Sequence, residues 1–135
     1  MSMLRRGAHY VERGHIPNVH FARATVEALP FRVGLFDAAI CAGSLNHFSD
    51  VVLALSEINR TMKVGAPLAE MCFALINSGL IKYKSIRDRA EKGGGHIHSV
   101  ADLERYVVEA GFEGFSSHAY GSILVFGARK RPAEH

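Results

Sequence analysis

Two nearly uninterrupted apolar runs constrain the fold more than any other feature of this sequence. They are residues 35–42 (LFDAAICA) and 67–75 (PLAEMCFAL), with one carboxylate each, Asp37 and Glu70. The first has the composition of a strand covered on both faces, as in a sheet with helices on either side. The second is another apolar strand, and Pro67 is tolerable at its first position. Between them Val51, Leu55, Ile58 and Met62 recur at helical spacing, with Ser49 or Asp50 to cap that helix and Gly65 to stop it. Strand, helix, strand in succession predicts a parallel pair joined by a crossover.

The flanking segments extend this pattern. Leu4, Ala8 and Val11 mark one face of a short helix over residues 3–13, which Gly14 can end. Residues 18–24 (NVHFARA) alternate apolar and polar, as a half-buried strand does, and Pro30 and Gly34 bracket a loop. Residues 78–92 read as a basic, weakly amphipathic helix running into Gly93, Gly94 and Gly95. Ser99 with Asp102 three residues later is a capped helix start, followed by the apolar stripe Val100, Leu103, Val107 and Val108 and a stop at Gly111. Residues 112–120 and 122–129 are strand-like and joined tightly at Gly121, which predicts an antiparallel hairpin.

Length and composition exclude several classes. A chain of 135 residues is expected to form one domain with a core of its own, and its two cysteines, Cys41 and Cys72, both lie in apolar runs as buried reduced thiols would. There is no run of about 20 apolar residues to cross a membrane, and the charged first residues lack a signal peptide's apolar centre. The expected location is the cytoplasm. A net charge of +3 comes partly from the tail and from residues 82–92, without interleaved aromatic side chains. That pattern reads as solvated surface, so neither nucleic acid nor a membrane is an expected partner.

Four ordered segments carry a resemblance. Residues 24–31 (ATVEALPF) with Phe36-Asp37 are similar to a "G-D-A-E-x-L-P-F … F-D" signature, and residues 44–50 (SLNHFSD) to an "a-L-x-H-v-x-D" loop. Residues 57–65 (EINRTMKVG) resemble "E-x-x-R-V-L-K-P-G-G", and Asp102-Leu103 through residues 109–112 (EAGF) resemble "e-L-x-x-l-l-x-x-A-G-F". Together they span about residues 3–130, and on them the chain resembles the class I S-adenosylmethionine-dependent methyltransferases that act on small molecules. The implied fold is α/β. It is an incomplete Rossmann-like methyltransferase sheet, mostly parallel with an antiparallel C-terminal hairpin, lacking the first two strands and forming a single truncated domain.

The resemblance also implies a site. In an open parallel sheet, ligands bind beyond the carboxyl ends of the strands. Thr25 and Val26 would meet the adenine of S-adenosylmethionine, and Ala42, Gly43, Ser44 and Leu45 would line its methionine end. His47 would be the general base toward a small-molecule substrate, a role suited to a side chain that titrates near neutrality. Two positions depart from the pattern: Thr25 stands where the family has an adenine-binding Asp, and Val64 where it has Pro. Met3-Leu4 aligns with the helix after the second strand, so the G-x-G-x-G loop and the ribose-binding acid of complete members are expected to lie upstream of residue 1 or not to exist.

A sheet without those strands has unpaired edges, so a second copy or another partner is expected to complete it. A non-catalytic binding or dimerisation module on the same fold is therefore the competing function. Outside the motifs, Asp37 and Arg60 read as a structural ion pair, and Tyr83 and Tyr120 as pocket or core-rim residues. His96 and His98 alternate as metal ligands sometimes do, but no third ligand is evident nearby and no metal is expected.

Overall fold

The computed structural model describes residues 2–76 and 80–134, and at 80–83 and 86 the backbone alone. Its elements in chain order are α1 (Met3–Arg13), β1 (Ala39–Ala42), a 3-10 turn (Leu45–His47), α2 (Val51–Thr61), β2 (Pro67–Leu75), α3 (Leu80–Lys92), β3 (His98–Ser99), α4 (Val100–Glu109), β4 (Phe112–Tyr120) and β5 (Ile123–Lys130). The caps explain the boundaries. Asp50 accepts from the Leu53 N–H at 2.9 Å to start α2, and Ser99 accepts from the Asp102 N–H at 3.1 Å to start α4. At the far end of α2, the Lys130 ammonium donates to the Asn59 and Met62 carbonyls at 2.8 Å each, a cation on the helix's negative end.

The sheet runs β1-β2-β5-β4, with the two-residue β3 on the end of β2. β1 and β2 are parallel in the register Ala39↔Leu68 to Ala42↔Met71, and β3 joins β2 in parallel at Ala74↔His98. β5 lies antiparallel between β2 and β4, and the expected hairpin turns at Gly121, whose φ of 62° suits glycine. Two expectations change here. Residues 18–24 form no strand, since among the described residues no neighbouring strand exchanges hydrogen bonds with them. The first apolar run forms a strand only over Ala39–Ala42, with an isolated parallel bridge between Phe36 and Met62, while Leu35 and Phe36 donate to the Thr61 carbonyl and anchor the approach to β1 on α2.

One face of the sheet is packed. Leu55 and Ile58 of α2 and Leu103 and Val107 of α4 close over Leu68, Cys72, Leu124 and Phe126, with Phe112 sealing the end. The opposite face is open. Ile40 is 82% exposed, and Met71, Phe73, Val125 and Tyr120 share that exposure. The two-sided cover expected for β1 is thus absent among the described residues. α1 buries no residue and packs locally, with Gly7 leaving room for the Phe21 ring. No helix among the described residues is long and apolar enough to cross a membrane.

The ion pairs also differ from expectation. Asp37 pairs with Lys63 at 2.6 Å, and Arg60 pairs with Glu57 at 2.7 Å, one helical turn away. The Arg60 guanidinium then donates to the Phe31 carbonyl at 2.8 Å and the Leu29 carbonyl at 3.0 Å, while Glu57 accepts from the Leu29 N–H at 2.9 Å. That fork holds the loop before β1 against α2, a task for which the rigid guanidinium is suited. Arg60 and the Leu29 N–H hold the Glu57 carboxyl down to about 2.

Asn46 joins three segments distant in sequence. Its Nδ2 donates to the Phe73 and His96 carbonyls, both at 2.8 Å, and its Oδ1 accepts from the Phe73 N–H at 2.9 Å. Its own carbonyl accepts from the His96 N–H at 2.6 Å. The residue is 5% exposed, so these partners have no water to fall back on. Asn46→Ala is expected to lower stability by about 2–4 kcal/mol, because it orphans buried backbone groups of β2 and of His96. Denaturant unfolding gives the loss, and amide exchange should quicken at Phe73 and His96. Unchanged protection at both amides would show that the clamp is dispensable.

A second buried polar group has no such partners. Glu70 lies beneath the helices at 1% exposure, next to the Cys41 thiol, and neither carboxyl oxygen finds a hydrogen bond. Burial pushes its pKa from 4.5 up to about 8, and with Glu70 nearby the Cys41 and Cys72 thiols are pushed up to about 12, chiefly by their own burial. The folded state therefore keeps a proton that the unfolded chain releases near pH 4.5, and stability from this group falls as pH rises from there to about 8. Each pH unit across that window removes about 1.4 kcal/mol. Glu70→Gln should flatten the decline in unfolding midpoint between pH 4.5 and pH 8, and a variant that declines as steeply as the parent contradicts this account.

Candidate functional site

The carboxyl end of β1 turns sharply at Gly43, whose φ is 76° and whose N–H donates to the Met71 carbonyl at 2.8 Å. Open space lies where a Cβ would project from Gly43, so its backbone can approach a ligand. The chain then makes the 3-10 turn Leu45–His47. Leu45 is fully buried and plugs the core, Asn46 is the clamp described above, and His47 is exposed. Of the residues that the resemblance implied, Ala42, Gly43, Ser44 and His47 thus share one exposed turn. Leu45 offers that turn only its backbone.

Thr25 and Val26 come from a separate loop, closed by an isolated bridge between Thr25 and Ala28. The Thr25 hydroxyl donates to the Glu27 carboxylate, and Glu27 also accepts from the Ser49 N–H. Those bonds hold the Glu27 carboxyl below its ordinary range, Thr25 first. They also tie the loop to the start of α2, just past the 3-10 turn, while Val26 packs on the core. Thr25 and the turn at 42–47 therefore flank one end of the sheet. Open backbone at Gly43 and the Thr25 hydroxyl, whose proton goes to Glu27 and whose oxygen can still accept, are groups that one wall of an S-adenosylmethionine site could use. Among the described residues, no glycine-rich turn between a strand and a helix forms the facing wall.

Beside His47 lies a cavity of about 460 Å³, within the range of small-molecule sites. Phe73, Ala90 and Ile97 give it apolar walls, and Arg89 and Ser122 stand at its margin. Gly95 forms part of its floor, where a Cβ would come within 3.3 Å of the Asn46 carbonyl and 3.4 Å of the His47 ring. Sequence reasoning missed Phe73, Arg89 and Ile97. The one signal was the glycine run at 93–95, which lets the chain after α3 return beneath the end of β2. Tyr83 falls outside the described side chains, and Tyr120 lies on the open sheet face. His98 packs edge-on against Tyr106 at 5.4 Å with its Nε2 buried and unpartnered, and burial lowers its pKa. Among the described residues no three His, Cys, Asp or Glu side chains gather to hold a metal ion.

A family profile described as "Methyltransferase domain" matches residues 2–69, just over half of the chain. The ubiquinone/menaquinone biosynthesis C-methyltransferase UbiE of Marinomonas sp. (strain MWYL1) is 33% identical over 113 residues, covering 81% of this chain and 45% of that protein. The uncharacterized methyltransferase YcgJ of Bacillus subtilis is 34% identical over 61 residues, covering 45% of this chain and 24% of that protein. The chain thus spans from about a quarter to under half of these relatives. The solved structure of YcgJ superposes with a TM-score of 0.81 at 14% identity, covering 97% of this chain and 79% of that one. Phosphoethanolamine N-methyltransferase 2 of Haemonchus contortus, solved with phosphomonomethylethanolamine and S-adenosylhomocysteine, gives 0.83 at 13% identity, covering 96% and 42%. The sheet, the ordered motifs and the matched profile agree: this chain belongs to the class I S-adenosylmethionine-dependent methyltransferase family.

Proposed function

We propose that this chain serves methyl transfer from S-adenosylmethionine to a small molecule in the cytoplasm, with the turn at 42–47 nearest the chemistry. The observation that carries the reading is the cavity opening beside His47, next to the exposed turn at Gly43. Thr25 would take the adenine through its hydroxyl and Val26 through its apolar edge. The backbone of Ala42, Gly43, Ser44 and Leu45 would hold the methionine end. The cofactor, when bound, supplies an electrophilic methyl group. His47 accepts a proton from the acceptor, and the remaining work is alignment, the main device in such transfers. Several relatives are named for methylating quinone precursors, which supports a small-molecule acceptor.

Calorimetric titration with S-adenosylhomocysteine tests this. A dissociation constant on the order of 10–100 μM is expected, weakened by Gly43→Val, which adds a side chain to the open turn. Absence of heat at millimolar ligand would overturn the enzyme reading and leave the assembly module.

A second reading rests on a separate observation, the open sheet face. By register this face carries Ile40, Met71, Phe73, Val125 and Tyr120, with His118 opposite Val125 and, among the described residues, no Asp, Glu or Lys over β1, β2, β5 and residues 116–120. Arg129 stands at its rim, donating to the Gly65 carbonyl. A mainly apolar face without carboxylates or lysines meets a second copy of itself with little like-charge repulsion. We therefore propose that two copies associate through it. Light scattering should report a dimer, and Val125→Lys at the centre of the face should return it to a monomer. A parent protein that stays monomeric at the highest accessible concentration would exclude this.

A further inference from the structure

The cavity beside His47 also carries information about what it holds. We propose that it takes a planar aryl compound bearing one anionic oxygen group, a carboxylate or a phenolate. Arg89 binds the anion and Phe73 lies against the ring. As a statement about the acceptor, this rests on the methyltransferase reading above; as a statement about binding, it does not.

Charge is the first argument. Among the described residues lining the cavity the ionisable side chains are His47 and Arg89, and none is a carboxylate. The helical neighbours of Arg89 at three and four residues are Ser85, Ile86, Lys92 and Gly93, so α3 offers it no acid. Arg87, two residues away, is taken by Asp88 and Glu91 at 3.9 and 3.6 Å. Among the described residues Arg89 makes no ion pair, and its planar fork suits a carboxylate or a phenolate oxygen.

Shape is the second. Phe73 is 52% exposed and stands on β2 with Ile97 and Ala90 nearby, while Gly93 and Gly95 contribute no side chains. The result is a mainly apolar cavity with an aromatic ring and one guanidinium among its lining side chains. Asn46 cannot serve a ligand there, since both its amide protons and its Oδ1 are already engaged. Among the described residues the polar side chains left to a ligand there are Arg89, His47 and Ser122.

The number of charges is the third. α3 presents its carboxyl end to the cavity: the Arg89 and Ala90 carbonyls accept from Gly93, and the Ala90 carbonyl also from Gly95 at 2.8 Å. That end of a helix is partly negative and disfavours a concentrated dianion such as phosphate. A monoanion delocalised on a ring is the better match. His47 then lies at the ring's edge, placed to take a proton from a substituent there.

The test omits the cofactor, so its outcome is independent of S-adenosylhomocysteine binding. Amide shifts are followed by NMR while cinnamate, para-nitrophenolate, neutral cinnamamide or inorganic phosphate is titrated into the full chain. Shifts at Phe73, Gly95 and Ile97 are expected with at least one of the two anions, and which of them binds decides between carboxylate and phenolate. Cinnamamide should bind about tenfold or more weakly, and Arg89→Leu should erase the preference for the anion, while Arg89→Lys retains part of it. The proposal is overturned if neither anion binds, if cinnamamide or phosphate binds as tightly, or if Arg89→Leu leaves anion affinity unchanged.

Discussion

A single buried amide holds together the parts of the chain from which a site could be built. Asn46 follows the strand that ends at Ala42, yet its side chain completes the backbone hydrogen bonding of Phe73 on the next strand and of His96 after α3. Each of those backbone groups would otherwise be stranded away from water. The amide is suited to the task because it donates twice and accepts in one plane, which no apolar residue of that size does. Through it, the exposed His47, the cavity wall at Phe73 and the glycine return at Gly95 keep a fixed relation. Rigid support of this kind separates a side chain that is merely present from one held to a working geometry.

Local signals were legible in the sequence. α1, β2 and the hairpin fall where period and turn chemistry put them, and the Asp50 and Ser99 caps start α2 and α4. Such features depend on neighbours a few residues away. What the sequence did not show depends on partners far along it. Residues 18–24 have a strand's alternation, but alternation makes a strand only when another strand offers hydrogen bonds. Asp37 found Lys63 rather than Arg60, because the Arg60 fork was already committed to Glu57 and two carbonyls. The turn at 42–47 was legible as a motif. The cavity beside it was not, since Phe73, Arg89 and Ile97 belong to no motif and meet only in three dimensions.

The two halves of the sheet's environment set opposite demands. Beneath the helices, burial is so complete that even Glu70 is held without a partner, favouring its neutral form. On the other side, residues of the same strands, Met71 and Phe73, stand in water. Alternation along β2 therefore divides a chemically uniform run into a sealed face and a face available for contact. The run at 35–42, read as a doubly covered strand, divides in the same way: Ala39 and Cys41 are half-buried, while Ile40 stands in water.

The position of β5 has a consequence for how the protein comes into being. β5 lies between β2 and β4, so the last of the described strands in chain order is an interior strand of the sheet. While the chain emerges from the ribosome, β2 has no neighbour on that side, and the helix-covered core lacks Leu124, Phe126 and Ala128. Synthesis proceeds from the N-terminus, and partly made α/β units expose apolar surface until their sheet closes. The nascent chain must therefore wait with an uncompleted sheet until Ile123–Lys130 has been added. Completing the described sheet is thus an insertion between β2 and β4, not an addition at its rim.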